Sequence, residues 1–245
     1  GQRRGDGWDR STLAVQLDEN YADLRNIAGR LADYPASDSA ALDTLLREIN
    51  TLESSVHLIF GEQVCLPSDQ PCDQQALAQL DPHGGDQAVI DPHISSVTGM
   101  DVFDLVLEVD FSDDQKGYLI KEFEVRSIVD TFTLSFYNDA GFSYVVDADG
   151  DVLIRSPHPR SNKTVQNLLD MLSSQNNDSQ ALALFADSLK SAETGWAIFT
   201  YEGERTVFCF TPVGLHSDWA LISIIPEAAV NAQTHALLRQ SLALV

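Results

Sequence analysis

Apolar positions along the chain change period several times, and each change marks an element. From Ser11 to Leu31, the residues Leu17, Tyr21, Leu24, Ala28 and Leu31 recur at spacings of four, three, four and three. Asp, Glu, Asn and Arg fill the gaps, so the pattern is a heptad seam and predicts a helix. Pro35-Ala36-Ser37 ends it, and Ser37 or Asp38 is placed to cap a second helix with Leu42, Leu45, Leu46, Ile49 and Leu52 on one face. The seam serves one of two purposes, packing on a sheet of its own chain or pairing with a second copy in a dimer. Ser54 to Leu66 then reads as a strand and turn with Gly61 at the bend, and Cys72 to Leu80 as a short helix. Asp81 to Asp86 is a loop, and Asp91 to Met100 is a second, punctuated by Pro92 and Gly99. Strands follow at Asp101 to Phe111 and Gly117 to Val125, then a helix from Arg126 to Tyr137.

The second half turns on Gly141 to Arg155, GFSYVVDADGDVLIR. Phe142, Tyr144 and Val146 alternate with Ser143, Val145 and Asp147. DADGD then interrupts, and Val152, Leu153 and Ile154 resume an apolar run. Asp-Gly between two β-rich runs predicts a hairpin, because Gly150 accepts positive φ without a Cβ clash. Asp147, Asp149 and Asp151 also resemble the start of a cation loop. A helix-loop-helix calcium site needs a bidentate Glu at its twelfth position, which counted from Asp147 is His158. A polar turn is the better reading. Downstream come a helical crossover and three strands at Gly195 to Tyr201, Arg205 to Pro212 and Trp219 to Pro226, with Trp219 expected beside Leu168, Leu169, Leu172 and Leu221.

Composition narrows the function classes. The chain has 245 residues, 15 Lys and Arg against 37 Asp and Glu, and a formal net charge of −22. Nucleic acid and anionic membrane surfaces are thereby excluded as partners, since both need a basic footprint. No apolar run reaches membrane-spanning length, although the closing pattern HALLRQSLALV is expected to lead toward a spanning helix. The six histidines show no metal-ligand spacing, and no nucleophile elbow, P-loop or dinucleotide glycine motif occurs. No catalytic residue, metal or cofactor is expected. Cys65 and Cys72, in VCLPSDQPC, form either a disulfide closing a short loop or a pair of free thiols. Cys209 reads as a small buried apolar residue.

The ordered strings G-x-x-Y-V-V-D-x-D-G-x-V-L, T-G-W-x-x-F-x-Y, F-x-P-V and D-W-x-L-x-x-x-I-P, spanning most of residues 141 to 226, resemble the membrane-proximal module of a double Cache sensor. Such sensors are extracytoplasmic parts of bacterial transmembrane receptors. The first half resembles the membrane-distal module more loosely. The resemblance implies an α+β fold: an N-terminal helical spine (residues 11–53), then two tandem PAS-like modules with five-stranded antiparallel sheets (54–136 and 137–226). A C-terminal helix (227–245) would lead to a transmembrane segment. It further implies a small-molecule ligand held in the distal module, a location outside the cytoplasm, and an output of the diguanylate cyclase, histidine kinase or chemoreceptor kind. A homodimer through the N-terminal helix also fits.

Amino-acid-binding members carry a Tyr-Arg-Trp-Tyr cluster, a further Tyr after a Ser-Pro and an Asp ending a G-V-x-G-x-D strand. Here Pro92 and His93 fall at the Pro-Tyr, and Glu122 falls at the Asp. The cluster is absent, since no Arg, Trp or Tyr occurs between Gln63 and Ile90. Without an Arg to hold a carboxylate in bidentate fashion, a neutral or cationic solute is expected, with His93, Ser95, Ser96, Thr98 and Glu122 as its contacts. The alternative is a ligand-independent dimerisation or interaction module, and a secreted hydrolase with an acid pair is a third reading.

Overall fold

The computed structural model describes residues 3–50, 56–61, 64–80, 85–129, 140–214 and 217–232, with side chains from residue 15 onward. Two compact units divide the chain, one built between Val15 and Ser127 and the other from Ile128 on.

The first unit contains helix α1 (Arg3–Leu31) from Val15 onward and α2 (Ser39–Ile49), the latter capped by Asp38, whose carboxylate accepts the Ala41 amide at 3.2 Å. Strands β1 (Val56–Phe60), β2 (Val64–Leu66), β3 (Gln87–Ile94), β4 (Asp101–Asp110) and β5 (Lys116–Glu124) form one antiparallel sheet in the order β2-β1-β5-β4-β3, with the short helix α3 (Gln74–Gln79) between β2 and β3. The α1 seam lies against this sheet: Leu17, Tyr21, Leu24 and Leu31 are all buried, the Tyr21 hydroxyl donates to the Ala88 carbonyl at 2.7 Å, and the Lys121 ammonium donates to Asn20 Oδ1 at 2.7 Å. Those apolar positions are therefore covered by the chain's own sheet. The opposite face packs Ile59, Ile90, Val106 and Ile120 under Cys72 and Ala76.

One expectation fails here. Asp91 to Ile94 belong to β3 rather than to a loop, and the loop shrinks to the residues after Ile94. The reason is an edge strand with a bulge: pairing with β4 runs from Gln87 to Ile90, shifts register, and resumes at His93. Proline, which cannot donate to a ladder, is tolerated at such a place. Helix α4 (Val125–Val129) opens the helix expected through Tyr137, the remainder of which lies outside the described residues.

The second unit repeats the plan. Strands β6 (Phe142–Val146), β7 (Val152–Arg155), β8 (Gly195–Tyr201), β9 (Glu204–Pro212) and β10 (Ala220–Pro226) take the order β7-β6-β10-β9-β8, with helices α5 (Leu168–Ser173) and α6 (Ser179–Lys190) in the crossover. The α+β fold is thus a pair of PAS-like modules in tandem. The Asp-rich turn is braced from within and from the crossover: Asp147 Oδ1 accepts the amides of Asp149 and Asp151 at 2.9 and 2.8 Å, Gly150 takes φ +87°, and Asn167 Nδ2 donates to the Asp149 carbonyl at 3.0 Å. Two expectations need correcting. Trp219 is buried but precedes β10, and alternation along that strand sends Ala220, Ile222 and Ile224 into the core containing Leu168 and Leu172, so Trp219 and Leu221 belong to the other face. Cys209 is half-buried rather than fully enclosed. Residues 227 to 232 are helical, and the rest of the expected C-terminal helix lies outside the described residues. No helix among the described residues is long and apolar enough to cross a membrane.

Candidate functional site

Cross-strand register builds the site on the helix-α3 face of the first sheet. Directly paired residues share a face. Asp104 on β4 pairs with Glu122 on β5, Ile120 pairs with His57 on β1, and Ile59 pairs with Cys65 on β2. The bulge in β3 adds the next group, because the extra residue puts His93, and not Pro92, opposite Val102. Above the sheet, Asp73 caps α3, accepting the Gln75 amide at 2.9 Å. Between these layers lies a cavity of about 30 Å³, with Asp73, Asp104, Glu122, His57, Val97 and Thr98 among its lining. That is room for a water rather than a solute.

The carboxylates on this wall live in different environments. Asp73 Oδ1 accepts the Ser96 hydroxyl at 2.7 Å and the Ser96 amide at 3.0 Å, while Oδ2 lies 2.8 Å from His93 Nε2. Burial alone would raise its pKa. The hydrogen bonds from Ser96, Gln75 and His93 outweigh burial and hold it down at about 2. Asp104 is 1% exposed, and neither of its oxygens accepts a hydrogen bond among the described residues. Burial first, then the nearby charges of Glu122 and Asp73, push it up to about 7, against the pull of His93 at 3.5 Å. Glu122 is also raised, chiefly by burial, although Ser95 bonds to it.

The bonds of His93 decide its charge. Nδ1 faces the Asp91 carbonyl at 2.8 Å and Nε2 faces the Asp73 carboxylate at 2.8 Å. Both partners only accept, and a neutral imidazole has a single N–H, so the ring satisfies both only as the imidazolium. Its pKa is accordingly raised: burial works against the charge, and the Asp91 carbonyl and the Asp73 and Asp104 carboxylates prevail. The positive charge is already engaged by Asp73. Asp104 and Glu122 are left as the under-compensated charges of the cavity, and no Lys or Arg lines it among the described residues.

The residues singled out from sequence divide by position. Glu122 and Thr98 line the cavity, whereas His93 and Ser96 hold Asp73 in place. Ser95, buried, accepts the amides of Val97 and Thr98 at 3.3 and 3.2 Å and so shapes the loop over the cavity. Sequence reasoning missed Asp73, Asp104 and His57. A signal existed for Asp104, which stands between Val102 and Val106 on the inward phase of a strand. Cys65 and Cys72 form a disulfide that ties β2 to the start of α3, with a Cα–Cα distance of 6.2 Å.

The whole chain resembles several solved structures. The ligand-binding domain of the Pseudomonas fluorescens chemoreceptor CtaA, in complex with L-leucine, matches with a TM-score of 0.63 at 15% identity over 91% of each chain. That of the Pseudomonas aeruginosa amino-acid chemoreceptor PctC, in complex with GABA, matches with a TM-score of 0.64 at 17% identity over 89% of this chain and 95% of that one. The extracellular domain of a putative histidine kinase, mmHK1S-Z3, gives 0.63 at 14% identity over 92% and 93%. At these identities the likeness is one of fold: the chain has the tandem PAS-like, double Cache architecture of bacterial receptor sensor domains. No family model matches the sequence, and no curated protein matches it either.

Proposed function

We propose that this chain is the extracytoplasmic solute-sensing region of a bacterial transmembrane receptor, and that its solute is a small molecule bearing a positively charged amine. The fold shared with chemoreceptor and histidine-kinase sensor domains supports the general role. One observation carries the ligand class: Asp104 is buried on the cavity wall, across from Glu122, and no described residue donates a hydrogen bond to it. An ammonium group supplies donors and positive charge together. A carboxylate would meet two acids and no Arg. Recognition of an amino acid through a carboxylate clamp therefore does not fit this pocket.

The small cavity makes the loop after Ile94 the moving part. Val97 and Thr98 form part of its wall and are exposed on their outer side. Entry of a solute displaces them, and the ligand then favours one loop position over another, as signalling by population shift requires. In this reading residues 54–136 receive the solute and residues 137–226 pass the change toward an output domain.

Thermal shift of the purified chain at pH 8, against amines, neutral sugars and carboxylates, tests the proposal. An amine at a hundredfold excess over its Kd adds about 2.7 kcal/mol of stability. Asp104→Asn is expected to remove that gain and Glu122→Gln to reduce it. A carboxylate that stabilises both variants as well as the parent chain overturns the reading.

A further inference from the structure

Beside the proposed amine pocket lies a second set of groups with separate chemistry. His57 and Cys65 project from the same sheet face, two residues apart in the ladder through Ile59, and Cys72 descends onto them from the start of α3. One ligand atom from each of these three residues lies within 4.8 Å of the other two. A tetrahedral zinc centre, with Zn–S near 2.3 Å and Zn–N near 2.0–2.1 Å, spaces such atoms roughly 3.5–3.8 Å apart. No spacing in the sequence announces this trio. The β1–β2 hairpin and the disulfide loop assemble it.

We propose that the reduced form of this disulfide, together with His57, is a binding site for a thiophilic divalent metal ion of the zinc class. A dithiol reductant transfers two electrons to the Cys65–Cys72 bond, yielding two thiols and its own disulfide. Binding of the metal then releases one proton from each thiol, giving two thiolates and one imidazole as ligands. His57 and Cys72 also line the amine cavity, so the fourth coordination position opens toward it. The oxidised chain has no thiolate to offer, which makes metal binding conditional on reduction. Asp73, next to Cys72 in the chain, also lines that cavity.

Cobalt(II) is the probe, because thiolate-to-cobalt charge transfer reports sulfur ligation directly. The chain is reduced, freed of reductant without air and titrated with Co²⁺, alongside the untreated disulfide form. One equivalent is expected to bind the reduced chain with thiolate charge-transfer absorption, none the disulfide form, and Zn²⁺ is expected to displace it. Cys65→Ser and Cys72→Ser lose most of that absorption. His57→Ala and His57→Gln each retain thiolate absorption but weaken binding tenfold or more, and circular dichroism shows which of them folds. Absence of charge transfer in the reduced chain, or equal cobalt affinity with and without the His57 side chain in a folded variant, overturns the site. Amine binding by the oxidised form is measured separately, so either proposal can fail alone.

Discussion

The two modules share one sheet order and fill it with opposite materials. Two residues before the end of its last strand, the first module pairs Asp104 with Glu122, and the second pairs Phe208 with Ile224. Around Phe208 lie Tyr144, Phe185, Phe199 and Phe210, all buried, with Phe185 and Phe210 ring centroids 5.1 Å apart. The corresponding face of the first module has a much smaller apolar cluster, because His57, Asp104 and Glu122 occupy its middle. One sheet is built to be stable and the other holds buried, poorly compensated charge. Buried charge costs stability unless it is paired, and under the proposed function its presence in one of two otherwise matching scaffolds is what assigns the solute to that module. The second module does have an open cleft of about 440 Å³, but its charged groups already answer one another: Arg160 pairs with Glu204, and Asn162 donates to Glu202 at 2.6 Å.

The largest effect should come from the aromatic side of this comparison. Phe208 is fully buried, and Phe208→Ala should cost roughly 3–5 kcal/mol in urea unfolding. A loss below about 1 kcal/mol would mean that the second module is not the rigid one.

Next is pH. The folded pKa of Asp104, about 7, lies above its ordinary 3.8. The folded state therefore holds this proton more tightly than the unfolded chain, and the stability it confers is complete below pH 3.8 and lost as pH rises toward 7. Glu122 and His93, both raised, lose stability in the same direction, whereas His57, lowered by burial, opposes them. Asp73, held near 2, changes only in acid. Asp104→Asn should thus recover roughly 2–4 kcal/mol at pH 8 relative to the parent, and little at pH 4. Melting curves of both proteins between pH 4 and 8 check this, and parallel curves would show that Asp104 ionises normally.

A backbone effect of roughly 1–3 kcal/mol is expected for Gly150→Ala. The glycine has φ +87°, and a Cβ there would stand 2.7 Å from Leu169 Cγ. Thermal unfolding should place this variant between Phe208→Ala and the smallest change, Asp178→Ala. Asp178 caps α6 by accepting the Ala181 amide at 2.8 Å, and its loss should cost about 1 kcal/mol. Asp73→Ala provides the contrast. It removes a cap of the same kind and also strips His93 and Ser96 of their partner, so it should cost more than Asp178→Ala. Equal costs for the two caps would mean that the Asp73 network adds nothing to stability.

Most of the scaffold was legible in the order of residues along the chain. Periodicity located the α1 seam, the β4–β5 pair and the three-strand meander of the second module, because each is a local pattern of burial along a regular element. The Asp-Gly turn was legible for the same reason: Asp147 bonds amides only two and four residues away. The absence of Arg, Trp and Tyr between Gln63 and Ile90, where the resemblance implies an Arg-Trp-Tyr cluster, was legible too. The make-up of the cavity wall was not legible in the same way. Asp73, His93, Asp104 and Glu122 come from the N-cap of α3 and from β3, β4 and β5, and in a chain with 37 acids no single carboxylate stands out in sequence. His93 reached its place through a register shift, and a bulge leaves no periodic trace when a proline makes the stretch read as a loop. His57 met the two cysteines because strand pairing, not spacing, sets which side chains share a face. The side of the sheet that covers Trp219 was likewise unreadable, since every position of β10 is buried and alternation then carries little information.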